Sequence, residues 1–180
     1  LGIATIMRSM GEIAGNTSLL IASEYLSNIN NGKGLMLGGV SGVSPTEVVI
    51  VGAGTVGEFA TRAAIGLGAS VKVFDNSLSK LRRLQNDIKN RLFTSVIQPK
   101  VLLKSLMRAD VVICALRSAD KRTPCVISED MVRKMKDGSV IIDVSIDQGG
   151  CVETSRITNH SKPIYNKFGV IHYCVPNITS

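Results

Sequence analysis

Short runs of Val and Ile alternate along this chain with segments whose apolar residues recur every three or four positions. "EVVIV" at 47–51 and "SVKVF" at 70–74 read as apolar strands, and "LFTSV" at 92–96 as a weaker third. "DVVICAL" at 110–116 is a strong fourth, "SVIIDVSID" at 139–147 a fifth, and "GVIHYCV" at 169–175 a sixth. Helical spacing appears over 55–67, which ends at Gly68, and near 77–88, with Leu78, Leu81, Leu84 and Ile88. It returns over 99–108 and 128–136. An N-terminal helix is expected over 9–29 from Ile13, Leu20, Ala22 and Leu26, stopped by "NINNGKG". The loop "GLMLGGVSGVSP" then runs to Pro45.

Strands that are unbroken apolar runs, alternating with helices, imply a parallel sheet covered on both faces. The fold expected is α/β: a doubly wound parallel sheet of strand order 3-2-1-4-5-6, a Rossmann-type dinucleotide-binding fold. Residues 1–45 are expected to form a linking helix and Gly-rich loop, and 46–180 the core. A start at Leu1 instead of Met reads as an excised piece of a longer chain. There is no internal repeat and no low-complexity segment.

Composition adds limits. A chain of 180 residues with 44% hydrophobic residues and 17 glycines can bury a proper core. Aromatics are only 4% and Trp is absent, so a base-stacking nucleic-acid surface is poorly supplied and no nucleic-acid partner is expected. No apolar run approaches a membrane span, and the N-terminus lacks a secretory core. The net charge of +7 comes largely from bases between Lys80 and Arg108. They form either a polyanion-binding face or the solvated side of helices. Cys114, Cys125, Cys151 and Cys174 have no metal-ligand spacing and read as free thiols of a reducing compartment, so a cytoplasmic protein without a metal is expected. His160 falls in a polar loop and His172 in a strand.

Two stretches carry chemistry. In "GAGTVG" Gly52 follows a strand directly and Gly57 lies in the first turn of a helix. Gly52 allows the tight turn, Gly54 lets backbone approach a pyrophosphate, and Gly57 lets the helix pack close, while the helix N-terminus offers free N–H groups. Asp75 ends the second strand about 20 residues on, where an acid accepts from a ribose diol and repels the 2′-phosphate of NADP, favouring NAD. Lys80 either reaches the same ribose or is solvated. The turn can also occur without a ligand. In "IIDVSIDQGG" the fifth strand runs out into Asp147 and two glycines. Asp147 is either a proton-handling carboxylate at the nicotinamide end or a turn-capping acid. Asp143, within the strand run, reads as a structural hydrogen-bonding acid.

In order and spacing, "GKGLMLGGVSGVSP", "GAGTVG", "MKDGSVIIDVSIDQGGCVETSR" and "GVIHYCVPN" resemble the NAD-binding domain of alanine dehydrogenases, and the related domain of nicotinamide nucleotide transhydrogenases. The resemblance spans almost the whole chain. It implies an NAD-dependent oxidoreductase that interconverts L-alanine with pyruvate and ammonia, with Asp147 as a catalytic group. It also implies a partner domain of the same chain carrying the substrate-binding Arg and Lys and the catalytic His, and a homo-oligomer at full length. Cofactor contacts carry over onto Thr55 and Val56, Asp75 and Lys80, Leu116 and Arg117, and Val144, Ser145 and Ile146. They continue at Arg156 and at Val175, Pro176, Asn177 and Ile178. The family has a serine where Gly11 stands, an apolar Val-x-x-Pro-Gly-type loop in place of "LRSADKRTP", a small polar residue at Ile97 and an Ala-Asn-Met-Pro-type end in place of "PNITS". A transhydrogenase soluble domain and a non-catalytic NAD-sensing module are the alternative readings.

Overall fold

The computed structural model describes residues 2–27, 32–120 and 122–179. Helix α1 spans Gly2–Leu26, followed by β1 (Glu47–Val51), α2 (Thr55–Gly66), β2 (Ser70–Phe74) and α3 (Leu78–Ile88). Then come β3 (Phe93–Ser95), α4 (Pro99–Arg108), β4 (Val111–Cys114), α5 (Glu129–Arg133) and β5 (Val140–Asp143). A 3-10 turn over Val144–Gln148, β6 (Ile164–Lys167) and β7 (Val170–Tyr173) complete the fold. The sheet order is β3-β2-β1-β4-β5-β7-β6, parallel except for the antiparallel pair β6–β7. The expected order is thus realised, with β7 in the sixth place.

The sheet divides two cores because alternate strand residues face opposite ways. Val48 and Ile50 of β1 face α1, α2 and α3 through Leu19, Ala60, Ala64, Leu81 and Leu84. Val49 and Val51 face α4 and the segment around α5, through Leu102, Leu106, Ile127 and Val132. Each such Val, Leu or Ile taken fully from water contributes about 1.5–3 kcal/mol before entropy is counted. Of the bases between Lys80 and Arg108, Arg82, Lys100, Lys104 and Arg108 are exposed on α3 and α4, whereas Arg83 donates to the Ala53 carbonyl oxygen at 3.4 Å, at the end of β1.

Four expectations need correction. The first helix begins at Gly2, seven residues before the expected start; residues 28 and 29 of its expected end, like 28–31 of the stop signal, lie outside the described residues. Its buried face is also not the one that Ile13 and Leu20 suggested, since these are 53% and 69% exposed. Ala22 and Leu26 are buried as expected, with Leu19 and Tyr25, but the half of the face before them is made of small residues, Gly11, Ala14, Gly15 and Ser18. A Cβ on Gly15 would lie 2.6 Å from the Val56 carbonyl oxygen and 2.7 Å from Phe59 Cβ, so α1 and α2 touch backbone to backbone. Second, α5 is shorter than 128–136. Ser128 caps it by accepting from Met131 N at 3.3 Å, but it ends at Arg133.

Third, β6 carried no signal. "IYNK" is short and half polar, and the turn to β7 uses Phe168 and Gly169, both at positive φ. That two-residue geometry normally announces itself as Asn-Gly or Asp-Gly. Fourth, "SVIIDVSID" is not one strand: β5 stops at Asp143. The buried Asp143 carboxylate accepts from Ser145 N at 3.1 Å and from Ser155 Oγ at 2.6 Å, which turns the chain out of the sheet. Gly150, at φ +75°, passes so close that a Cβ there would lie 2.6 Å from the carboxylate. Burial pushes the Asp143 carboxyl up to about 6, against the pull of Ser155, Ser145 and the Cys151 and Val152 N–H groups. His172 is where a strand residue was expected. Its Nδ1 donates to Val170 O at 2.9 Å, so Nε2 accepts from Thr154 at 2.7 Å, and burial holds the ring neutral. All four cysteines are free thiols; Cys125 is exposed, the others buried.

Gly15→Ala should destabilise the fold by about 1–3 kcal/mol through overpacking, although Ala is the better helix former. A rise in Tm on that substitution would show that α1 and α2 are not in backbone contact. For Asp143 the folded carboxyl binds a proton more readily than the unfolded one, so its contribution to stability falls as pH rises from about 4 to 6. The stability difference between wild type and Asp143→Asn should therefore change across that window by on the order of 2–3 kcal/mol and be flat above pH 7. Denaturant titrations at several pH values measure it, and a difference independent of pH from 4 to 7 would refute the shifted carboxyl.

Candidate functional site

Strands β1 and β4 lie side by side, but the chain proceeds from β1 to β2 on one side and from β4 to β5 on the other. Such a reversal opens a crevice beyond the strand ends, where open α/β sheets hold ligands. Gly52 and Ala115 form its bottom. Gly52 has φ +117°, and any Cβ on it would strike the Ala115 carbonyl. A Cβ on Gly57 would overlap the carbonyl oxygen of Gly52, so the first turn of α2 rests directly on the strand end. Above Gly54 there is open space: no atom lies within 4 Å of the place a Cβ would occupy.

Gly54 is the N-cap of α2 and provides no side-chain cap. The first N–H groups of the helix therefore have no intrahelical acceptor and face outward, together with the positive end of the helix dipole. Glu58, the acid of that first turn, is 8% exposed and pairs with Arg62 at 2.9 Å, so it does not oppose an anion. This cradle fits a diphosphate: backbone donors, room for close approach, and no side chain in the way.

Asp75 is buried at the end of β2. Its Oδ2 accepts from Ala53 N at 2.7 Å and its Oδ1 from Ser77 N at 2.7 Å, so the carboxylate is locked to the glycine turn. A cleft of about 360 Å³ lies beside it, lined by Gly54, Thr55, Val56, Asp75, Lys80, Ala115 and Arg117. α1 contributes Ala4, Met7, Arg8 and Gly11 as the opposite wall. A second hollow of about 250 Å³ continues from it and shares Met7, Gly11, Val56 and Arg117. That half is closed by Val144, Asp147, Asn177 and Ile178, with Met10, Ala14 and Thr179. Asp147 lies exposed on the 3-10 turn, and its Oδ2 accepts from Asn177 N at 3.3 Å. One groove thus runs from Asp75 to Asp147 across the glycine turn.

Most sequence-derived candidates meet there. Leu116, Val144 and Ser145 line a smaller recess of about 90 Å³ off the same groove. Ser145 Oγ donates to Leu116 O at 2.9 Å, tying the end of β4 to the 3-10 turn. Ile146 and Val175 are buried beneath it, and Pro176 lies between Val175 and the cleft residue Asn177. Arg156 is placed elsewhere: its guanidinium carbon lies 4.2 Å from the centre of the Tyr165 ring, and it lines neither half of the cleft. Ile97 packs on the second core. Gly11 faces Thr55, with its Cβ position 3.2 Å from Thr55 Cγ2. Sequence reasoning missed Met7 and Arg8 because the helix was expected to start at residue 9, and Met10 because the apolar residues Ile13 and Leu20 pointed to another face of that helix. It also missed Gln148 in the recess, which the "IDQGG" run contains but no periodicity marks.

With this geometry, the comparisons are informative. The family model "Alanine dehydrogenase/PNT, C-terminal domain" matches residues 18–180. The alanine dehydrogenase of Methanococcus maripaludis is 44% identical over 174 residues, which is 96% of this chain and 47% of that protein. That of Bacillus subtilis is 41% identical over 96% of this chain and 46% of that protein. A solved L-alanine dehydrogenase superposes with a TM-score of 0.90 at 39% identity, covering 94% of this chain and 47% of its own. A transhydrogenase from Sinorhizobium meliloti shares the fold, with a TM-score of 0.77 at 19% identity. The chain spans about half the length of the curated relatives it matches. It belongs to the alanine dehydrogenase/PNT C-terminal domain family, whose members are NAD(H)-dependent.

Proposed function

We propose that this chain is the cofactor-binding half of an NAD-dependent amino-acid dehydrogenase acting on L-alanine and pyruvate in the cytoplasm. The observation that carries this reading is the continuous groove from Asp75 to Asp147 over a glycine turn that admits no side chain at Gly52 or Gly57 and leaves open space above Gly54. Gly52, Gly54, Thr55, Val56 and Gly57 would hold the diphosphate, and Asp75 with Lys80 the adenosine ribose. Leu116, Arg117, Val144, Ser145 and Ile146, with Val175 to Ile178, would line the nicotinamide half. The bound nicotinamide supplies the hydride acceptor.

Asp147 would hold a water or help move its proton beside the reacting carbon. Its tether to Asn177 N keeps one carboxylate oxygen turned toward the chain end and leaves the other for that task. The relatives' remaining length would supply the substrate-binding groups, in an assembly of several copies. In this reading residues 1–45 link the halves and 46–180 form the cofactor core. Identities of 41–44% to alanine dehydrogenases favour this reading over a transhydrogenase domain or a sensing module.

Calorimetric titration of the chain should show NADH binding more tightly than NADPH, since the Asp75 carboxylate repels a 2′-phosphate. Asp75→Ala should weaken NADH roughly tenfold and narrow the gap between the two cofactors. Tighter NADPH binding by the wild type would sink the assignment. In the full-length protein Asp147→Asn should lower kcat by on the order of 10²–10⁴ with little change in NADH affinity, since Asn still accepts from Asn177 N but cannot take a proton. Near-normal turnover would make Asp147 a turn-capping acid.

A further inference from the structure

Among the buried side-chain nitrogen and oxygen atoms of the described residues, one lacks a hydrogen-bond partner: the amide oxygen of Gln148. Idle buried acceptors are rare in folded proteins because each forfeits the bond it made with water. Gln148 closes the 3-10 turn immediately after Asp147. Its main-chain carbonyl is in use, accepting from Thr123 N at 2.8 Å. The backbone is therefore pinned while the side-chain acceptor is idle.

Gln148 lines the recess of about 90 Å³ between the end of β4 and the 3-10 turn. Val56, Leu116 and Val144 give that recess apolar walls, and Arg117 and Asp147 complete it. Val56, Arg117, Val144 and Asp147 also line the Asp147 half of the cleft, so the recess is a side chamber of that half. It holds about three times the ~30 Å³ share of one water in the liquid, enough for a small planar group. The terminal torsion of a glutamine is broad, so the amide oxygen can swing into the chamber that the side chain already borders. The chamber calls for a neutral, planar group that donates a hydrogen bond.

We infer that Gln148 recognises the carboxamide of the nicotinamide, its amide oxygen accepting from the carboxamide N–H. The inference rests on the cofactor reading above and adds to it a residue that selects what the pyridine ring carries. A site built around an acceptor discriminates against an analogue that lacks the donor, because the acceptor is then left unpaired. A methyl ketone in place of the carboxamide has the same shape but no N–H.

The test is a set of titrations of the chain, and of the full-length protein that carries it, with three probes: NADH, reduced 3-acetylpyridine adenine dinucleotide and ADP-ribose. The wild type should bind NADH about tenfold more tightly than the acetylpyridine analogue. Gln148→Met should weaken NADH about tenfold while the analogue and ADP-ribose stay within roughly twofold, so that the preference collapses. Equal weakening of all three probes would assign Gln148 a structural role and overturn the inference. So would an unchanged NADH affinity, the result expected if the oxygen serves only a water. If the variant does not fold, the wild-type comparison decides: equal affinity for NADH and the analogue overturns the inference while leaving the cofactor reading intact. Failure of the wild type to bind NADH and ADP-ribose alike overturns both.

Discussion

The contact between Gly57 and the carbonyl of Gly52 is the constraint on which the site depends. No side chain fits there, so α2 begins directly on the end of β1. That closeness leaves the unpaired N–H groups of the helix at the floor of the crevice instead of several ångströms above it. The same turn presents Ala53 N to Asp75, which orients the acid from the neighbouring strand. Gly52 in turn lies against Ala115, so the glycine turn and the end of β4 share one surface. A methyl group at Gly52 or Gly57 would separate these parts together, because each is placed against the next with no slack.

A second close approach, of α1 on α2, sets the width of the groove. Gly11, Ala14 and Gly15 let the helices meet along their backbones, and the part of α1 preceding them then overhangs the cleft with Met7 and Arg8. Arg8 is paired with Glu12, whereas Arg117 in the middle of the groove has no ion-pair partner among the described residues. The groove is thus graded. It has a backbone-held acid with a lysine at one end, an unpaired cation where the two halves join, and a mostly apolar chamber with a single carboxylate at the other. An extended ligand with sugar, phosphate and flat amide parts suits that sequence of environments.

The far end is organised by Asp143, which does no chemistry in this reading. Its buried carboxylate gathers donors from Ser145 and Ser155 and ends β5 four residues before Asp147. Without that knot the strand would continue and alternate its side chains across the sheet. The 3-10 turn instead brings Asp147 and Gln148 out together at the mouth of the crevice.

The chain's own pattern determined the doubly wound sheet, its first six places in order, the glycine turn and the place of Asp75 beside it, while it left Asp147 open between a proton-handling and a turn-capping acid. Each of these is written in local signals: apolar runs of strand length, helical spacing, and glycines at fixed offsets beside an acid. What remained hidden depends on the neighbour an element meets. The first half of the buried face of α1 is made of small residues, Gly11, Ala14, Gly15 and Ser18, which carry little hydropathy, so Ile13 and Leu20 pointed to the wrong side. Strand β6 exists because β7 pairs with it through a turn whose residues, Phe168 and Gly169, are not the usual pair. β5 ends where a carboxylate finds donors from residues 145 to 155, which strand periodicity does not register. The position of Arg156 on Tyr165, the wall formed by Met7 and Met10, and the idle oxygen of Gln148 likewise arise only once distant segments pack, because burial and hydrogen-bond satisfaction are properties of the neighbours and not of the residue alone.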